Sequence, residues 1–224
     1  MSFKVRVPVI RGGLSIAAVC ILLAGCGTTK PVIYSGLDSS AQLAPNPRDD
    51  SGRVPYSYAT QVDWRRYDRI IIDPVAIYRS PDNQFGKMSE EDKATLAAYM
   101  QATFQERLSS RFAAARRPGP GTLRLKLTLT GAKTSTPFLA TASRFDIGGG
   151  LYNSVQAARG REGAFTGSVI YSVEIYDAAT DRLLDAYVTR QYPRAMNVGA
   201  SIGSLAAAKT GIDMGAKTLA KTLR

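Results

Sequence analysis

Leu123-Arg124-Leu125-Lys126-Leu127-Thr128-Leu129-Thr130 alternates leucine with a charged or hydroxylated residue. In a strand successive side chains point to opposite faces, so this stretch predicts a half-buried strand. The four leucines face a core, and Arg124, Lys126, Thr128 and Thr130 face water. Working toward the C-terminus, Phe165 to Tyr176 and Leu183 to Tyr192 read as two further strands. Asp177-Ala178-Ala179-Thr180-Asp181 joins them as a tight hairpin turn.

Toward the N-terminus, Pro118-Gly119-Pro120-Gly121 stops a helix that opens at Ser89. The serine hydroxyl suits the free backbone N–H groups of a first turn, and Glu90, Glu91 and Asp92 suit the positive end of the dipole. The helix is predicted to run to about Ala115, with Leu96, Met100, Phe104, Leu108 and Phe112 toward the core and Arg116 and Arg117 at its negative end. Before it, Ile70-Ile71-Ile72 followed by Val75, Ile77 and Tyr78 is a β-branched run typical of a buried strand. Pro74 inside that run implies an edge or a bulge. A last helix is predicted over about Ala200 to Leu223, with Ile202, Leu205, Ile212, Leu219 and Leu223 along one side. Residues 132 to 163 are ambiguous, with Gly148-Gly149-Gly150 as a flexible connection and a short helix near Leu151 to Ala158. The order β-α-β-β-β-α predicts a single α+β domain. Its mainly antiparallel sheet of about four strands carries two main helices on one face.

At the other end of the chain, Leu23-Ala24-Gly25-Cys26 looks like the lipobox at which bacteria cleave a precursor and lipidate the new N-terminal cysteine. Lys4, Arg6 and Arg11 precede a short apolar run, Leu14 to Ala24, as in a secretory signal. That run is too short to span a bilayer, which takes about 20 residues. Residues 1–25 are thus expected to be a signal peptide, with acyl chains such as palmitate on Cys26. Gly27, in place of the aspartate of inner-membrane retention signals, points to the periplasmic face of the outer membrane. Residues 26–62, rich in Pro, Ser, Asp and Gly, are expected to be the lipidated N-terminus and a tether reaching roughly 35 Å as a flexible coil. Tyr34-Ser35-Gly36-Leu37 and Val54-Pro55-Tyr56-Ser57-Tyr58 interrupt the tether with aromatics expected to pack onto the domain at residues 63–224.

Removing the signal's three cations takes the formal charge from +11 to +8, so acidic surfaces should attract the mature chain. Nucleic acid is not an expected partner of an exported protein. Cys26 is the last cysteine and the chain has no histidine. Cys/His zinc sites and histidine-based catalytic triads are therefore excluded, and no cofactor is expected. Ser89 and Lys93 have helical i,i+4 spacing but read as a cap and a solvated face. Asp63, Asp68 and Asp73 could supply paired acids, yet they flank a strand and read as turn caps. Asp177, Asp181 and Asp185 lack the spacing of a calcium loop, so Asp177 is expected to bind its own turn. Gly148-Gly149-Gly150 lacks the Lys-Ser/Thr of a phosphate loop. Two binding features remain. Arg124 and Lys126 could form an anion-binding patch on an uncovered strand face. Gly199, Gly203, Ala207, Gly211 and Gly215, small residues every four positions, could contact a partner helix or a second copy, or pack on the chain's own sheet.

Tyr34-Ser35-Gly36-Leu37, Val62-Asp63-Trp64, Tyr67-Asp68, Ile71-Ile72-Asp73-Pro74-Val75, Asp82-Asn83-Gln84-Phe85 and Val173-Glu174-Ile175-Tyr176-Asp177 together resemble a family of Gram-negative lipoproteins, domain-of-unknown-function family 3313. The resemblance covers nearly the whole mature chain and implies a lipid-anchored envelope protein with one α+β domain. It brings no catalytic residue, cofactor or partner. The chain departs from the family's pattern at Asp181, where glycine is expected after the hairpin threonine. The expected role is non-enzymatic binding, as an accessory protein of an envelope assembly. An envelope hydrolase using Ser/Lys or carboxylates and an anionic-lipid carrier or sensor are the alternatives. A deep apolar cavity would favour the carrier, converging Asp, Ser or Lys the hydrolase, and a flat apolar patch the adaptor.

Overall fold

A computed structural model describes residues 30–134, 167–193 and 203–224. The leucine-alternating stretch forms the central strand. Eight strands are described: β1 (Ala44–Pro45), β2 (Tyr56–Ala59), β3 (Arg69–Ile72), β4 (Ala76–Ile77), β5 (Ala113–Ala114), β6 (Thr122–Lys133), β7 (Ser168–Asp177) and β8 (Arg182–Gln191). Helix α1 (Glu90–Ser109) precedes β5, and α2 (Ala206–Thr222) follows β8. The sheet order is β1-β2-β8-β7-β6-β3-β5, with β4 pairing β6 outside that path.

The sheet is mixed and has eight strands, which corrects the expectation of about four mainly antiparallel ones. Strands β6, β7 and β8 form the expected antiparallel core. Strands β3 and β4 run parallel to β6, and β5 runs parallel to β3. Helix α1 lies between β4 and β6 in the chain, and a crossover of this kind returns the chain in the same direction. The isoleucine run breaks at Pro74, as a residue without an N–H requires. Asp73 donates its N–H to the Leu125 carbonyl, and the ladder resumes at Ala76 opposite Thr128.

Ser89 caps α1 as expected, accepting from the Asp92 N–H at 3.1 Å. The helix ends at Ser109, short of Ala115, because Ala113 and Ala115 donate instead to the carbonyls of Asp68 and Ile70. Leu96, Met100, Phe104 and Leu108 still face the core, with Ile212 and Leu219 from α2 beside them. Leu123, Leu125, Leu127 and Leu129 meet them from the sheet, so both helices cover one face. The short helix near 151–158 and the glycine run 148–150 lie outside the described residues.

The second face is covered by residues expected to be tether. The compact unit begins at Pro31, and Tyr34, Leu37 and Leu43 pack with Tyr78, Ile170, Ala186 and Val188. Tyr34 meets Tyr78 edge-to-face at 5.2 Å. Strand β2 adds Tyr56 and Tyr58 to the same layer by pairing with β8. The aromatics do pack as expected, and the domain's fold begins about thirty residues before Asp63.

Candidate functional site

The wet face of β6 and the N-terminal segment enclose a cleft of about 210 Å³, lined by Gly36, Asp38, Asp73, Lys126, Thr128 and Glu174 among others. Alternation on β6 and β7 puts Lys126 and Glu174 on the same side, as cross-strand partners. Gly36 brings the segment in closely by donating its N–H to the Tyr78 hydroxyl at 2.9 Å. A Cβ there would stand 3.0 Å from the Tyr78 ring.

Charges in and beside the cleft have partners within the chain. Lys126 Nζ donates to Asp38 Oδ2 at 2.7 Å and sits 4.9 Å from the Tyr176 ring centre. Arg124 Nε donates to Asp73 Oδ2 at 2.9 Å, and its guanidinium reaches Asp181 at 3.7 Å. Glu174, only 2 % exposed, accepts the Ser39 N–H at 2.7 Å and so pins the covering segment. Burial pushes the Tyr176 hydroxyl upward, and the Glu174 and Asp38 carboxylates add to the shift. Tyr176 therefore keeps its proton and is not a base. Burial likewise pushes Tyr34 up to about 12. Such a cleft can hold a small polar group between carboxylates and an ammonium.

Arg124 and Lys126 thus share a face as the alternation predicts, but that face is covered and both cations have carboxylate partners. Asp38 and Asp73 were not legible as their partners, nor Glu174 as the acceptor of the Ser39 N–H. Asp38 falls in a segment without period, and Glu174 reads as an outward strand residue until something covers it.

The small-residue series divides. Gly199 lies outside the described residues, and Gly203, at φ +96°, precedes α2. Ala207, Gly211 and Gly215 are buried in the helix. A Cβ on Gly211 would stand 2.9 Å from the Gln191 carbonyl oxygen, and one on Gly215 would fall on the Tyr171 hydroxyl. These residues pack on the chain's own sheet.

Other candidates find structural roles. Lys93 is not a solvated face: its side chain is 15 % exposed, pairs with Glu90 at 2.6 Å and lies over Phe85. Asp63 caps its turn by accepting the Arg65 N–H, whereas Asp73 serves Arg124. Asp177 accepts from the N–H groups of Ala179 and Thr180, closing its own turn as expected. Asp181 has φ +54°, the left-handed conformation that explains why glycine is expected there. Burial alone pushes Asp185, on β8, up to about 6. Among the described residues no cluster of three or more Cys, Asp or Glu could hold a metal ion. Nor is any helix among them long and apolar enough to cross a membrane. Cys26 precedes the described residues.

No curated protein matches the chain. The PelC dodecamer from Paraburkholderia phytofirmans is similar at 12% identity over 74% of this chain and 95% of that one, with a TM-score of 0.35. Protein XCC0632 from Xanthomonas campestris is similar at 10% identity over 81% of this chain and 90% of that one, with a TM-score of 0.36. A family model described as "Protein of unknown function (DUF3313)" matches residues 33–219, and the chain belongs to that family.

Proposed function

We propose that the protein is an outer-membrane lipoprotein, anchored through Cys26, that acts by binding as an accessory component of an envelope assembly. The observation that carries this reading is where the fold begins. Pro31 already belongs to the compact unit, five residues after the cysteine of Leu23-Ala24-Gly25-Cys26. At about 3.5 Å per residue that interval reaches at most ~18 Å, about half the span expected of a long tether. Acyl chains on Cys26 would hold the domain at the membrane surface, where it presents its exposed loops to neighbours.

The cleft gives the hydrolase reading its specific support, since Asp38, Asp73, Glu174 and Lys126 converge there. Against it, Lys126 and Glu174 are engaged in holding the covering segment. The charged lining does not suit an acyl-chain carrier.

The test is labelling with palmitate and crosslinking in intact cells, comparing wild type with Cys26→Ser. The reading expects label on the wild type only, and a discrete envelope complex that depends on lipidation. Turnover of a cell-wall substrate by the purified domain, abolished by Lys126→Met or Glu174→Gln without unfolding, would replace binding with catalysis.

A further inference from the structure

One end of the sheet gathers arginine. Asp68 and Arg69 both donate backbone N–H to the Gly121 carbonyl, at 3.1 and 3.2 Å, and Ala178 donates to Thr122 at 2.9 Å. The Tyr67 hydroxyl donates to Asp177 Oδ2 at 2.9 Å. These bonds set the turn 63–69, the loop 115–121 and the hairpin 178–182 side by side. Arg65, Arg66, Arg69, Arg116, Arg117 and Arg182 are all exposed there. No lysine occurs in these three segments. Asp63 holds Arg65 at 3.0 Å, and Asp68 lies 3.7 Å from Arg69. Arg66, Arg116, Arg117 and Arg182 form no ion pair among the described residues. Arg66 adjoins Tyr67 in the chain, and the Tyr67–Asp177 hydrogen bond brings beside it the hairpin in which Asp177 pairs with Arg182.

The strip crosses β5, β3, β6, β7 and β8, about 19 Å at ~4.8 Å per strand interval. An extended peptide covers that width in about six residues. Arginine's planar fork matches a carboxylate through two parallel hydrogen bonds, and its guanidinium is less tightly hydrated than an ammonium. The chain's entry is at the other end. Ser35 donates to Asp82, Tyr34 to Gln84, and Gln84 bridges to Gly131, roughly 25 Å along β6 from Leu123. Val32, 37 % exposed, is the one exposed large apolar side chain among the described residues, and it lies in that entry segment. Among the described residues the arginine end has no exposed large apolar side chain to insert into lipid, Trp64 being partly buried against the core.

We infer that Arg66, Arg116, Arg117 and Arg182 form a docking surface for an acidic segment of a partner protein, at the end of the domain remote from the Pro31 entry. Its orientation away from the membrane rests on the anchored reading, but its binding chemistry does not.

The probe is a fluorescent hexaglutamate peptide, and the protein is the mature chain with Cys26→Ser. Changing the four arginines to glutamine should weaken binding at least about tenfold, because each loses a carboxylate contact. The matched change of the exposed Lys87, Lys133, Lys217 and Lys221 to glutamine removes the same charge and should alter binding less than about twofold. Arginine-to-lysine changes at the four positions should recover only part of the loss. Exposed sites should leave the thermal midpoint unchanged, which separates binding from folding. Equal losses in the arginine and lysine sets would overturn the surface, as would failure of the wild type to bind. Arginine-dependent binding to phosphatidylglycerol vesicles with none to the peptide would also overturn it, in favour of lipid. Peptide binding as expected, with localisation indifferent to Cys26, would sink the anchored reading and leave this surface standing.

Discussion

Replacing Gly215 with alanine tests whether the small-residue helix serves its own sheet. The new Cβ would fall on the Tyr171 hydroxyl and stand 3.0 Å from the ring carbon that bears it. Ordinary carbon contacts are about 3.5–4.0 Å, so ring or helix must shift within a buried layer. Overpacking of this kind costs about 1–3 kcal/mol, and a collision with a fully buried tyrosine belongs at the upper end. Alanine's better helix propensity offsets about 1 kcal/mol, leaving a net loss of about 2 kcal/mol. In a domain of this size that lowers Tm by roughly 4–8 °C. Tyr171→Phe removes the colliding oxygen, so Gly215→Ala in that background should be neutral to within about 0.5 kcal/mol. Urea unfolding of the two single variants and the double variant measures the coupling, expected near 2 kcal/mol. Losses that simply add, or a stabilised Gly215→Ala, would refute the packing. A change in oligomeric state at unchanged stability would transfer the ridge to a partner.

Three further outcomes follow from the same geometry. Burial raises the Asp185 carboxyl to about 6, so the folded chain keeps a proton that the unfolded chain releases. Stability from this group is present below about pH 4 and is lost as pH rises toward 6. Asp185→Asn should remove that slope and stabilise the protein at pH 7 by about 3 kcal/mol, checked by unfolding across pH; a parallel profile would disprove the assignment. Glu174→Ala should raise amide exchange at Ser39 and its neighbours at least about tenfold, since a buried charge-assisted hydrogen bond is worth about 1.5–3 kcal/mol. Unchanged exchange would mean that the apolar contacts of Tyr34 and Leu37 hold the segment alone. Asp38→Asn, which removes the exposed partner of Lys126, should cost less than about 1 kcal/mol and lose its effect in high salt, read by the urea midpoint at two ionic strengths.

The sequence by itself determined the elements with a strong internal period or a local hydrogen-bond signal. The leucine alternation of β6, the Ser89 cap and the Asp177 turn depend on interactions within a few residues, and each formed as read. Pro74 interrupted its strand for an equally local reason, its missing N–H. The family, too, was legible from motifs that survive without their partners. Only the tertiary structure decided the rest. Ala44–Pro45, Ala76–Ile77 and Ala113–Ala114 are too short to carry a period and become strands because a neighbour offers its backbone groups. Residues 31–43 look like tether because their apolar side chains follow no sustained period, and they fold because the second sheet face, Ile170, Ala186 and Val188, gives Tyr34, Leu37 and Leu43 a surface to bury. The same covering turns Arg124 and Lys126 from a candidate anion patch into ion pairs with Asp73 and Asp38. A charge's partner is fixed by distance in space, and the side chains concerned lie 51 and 88 residues apart in the chain.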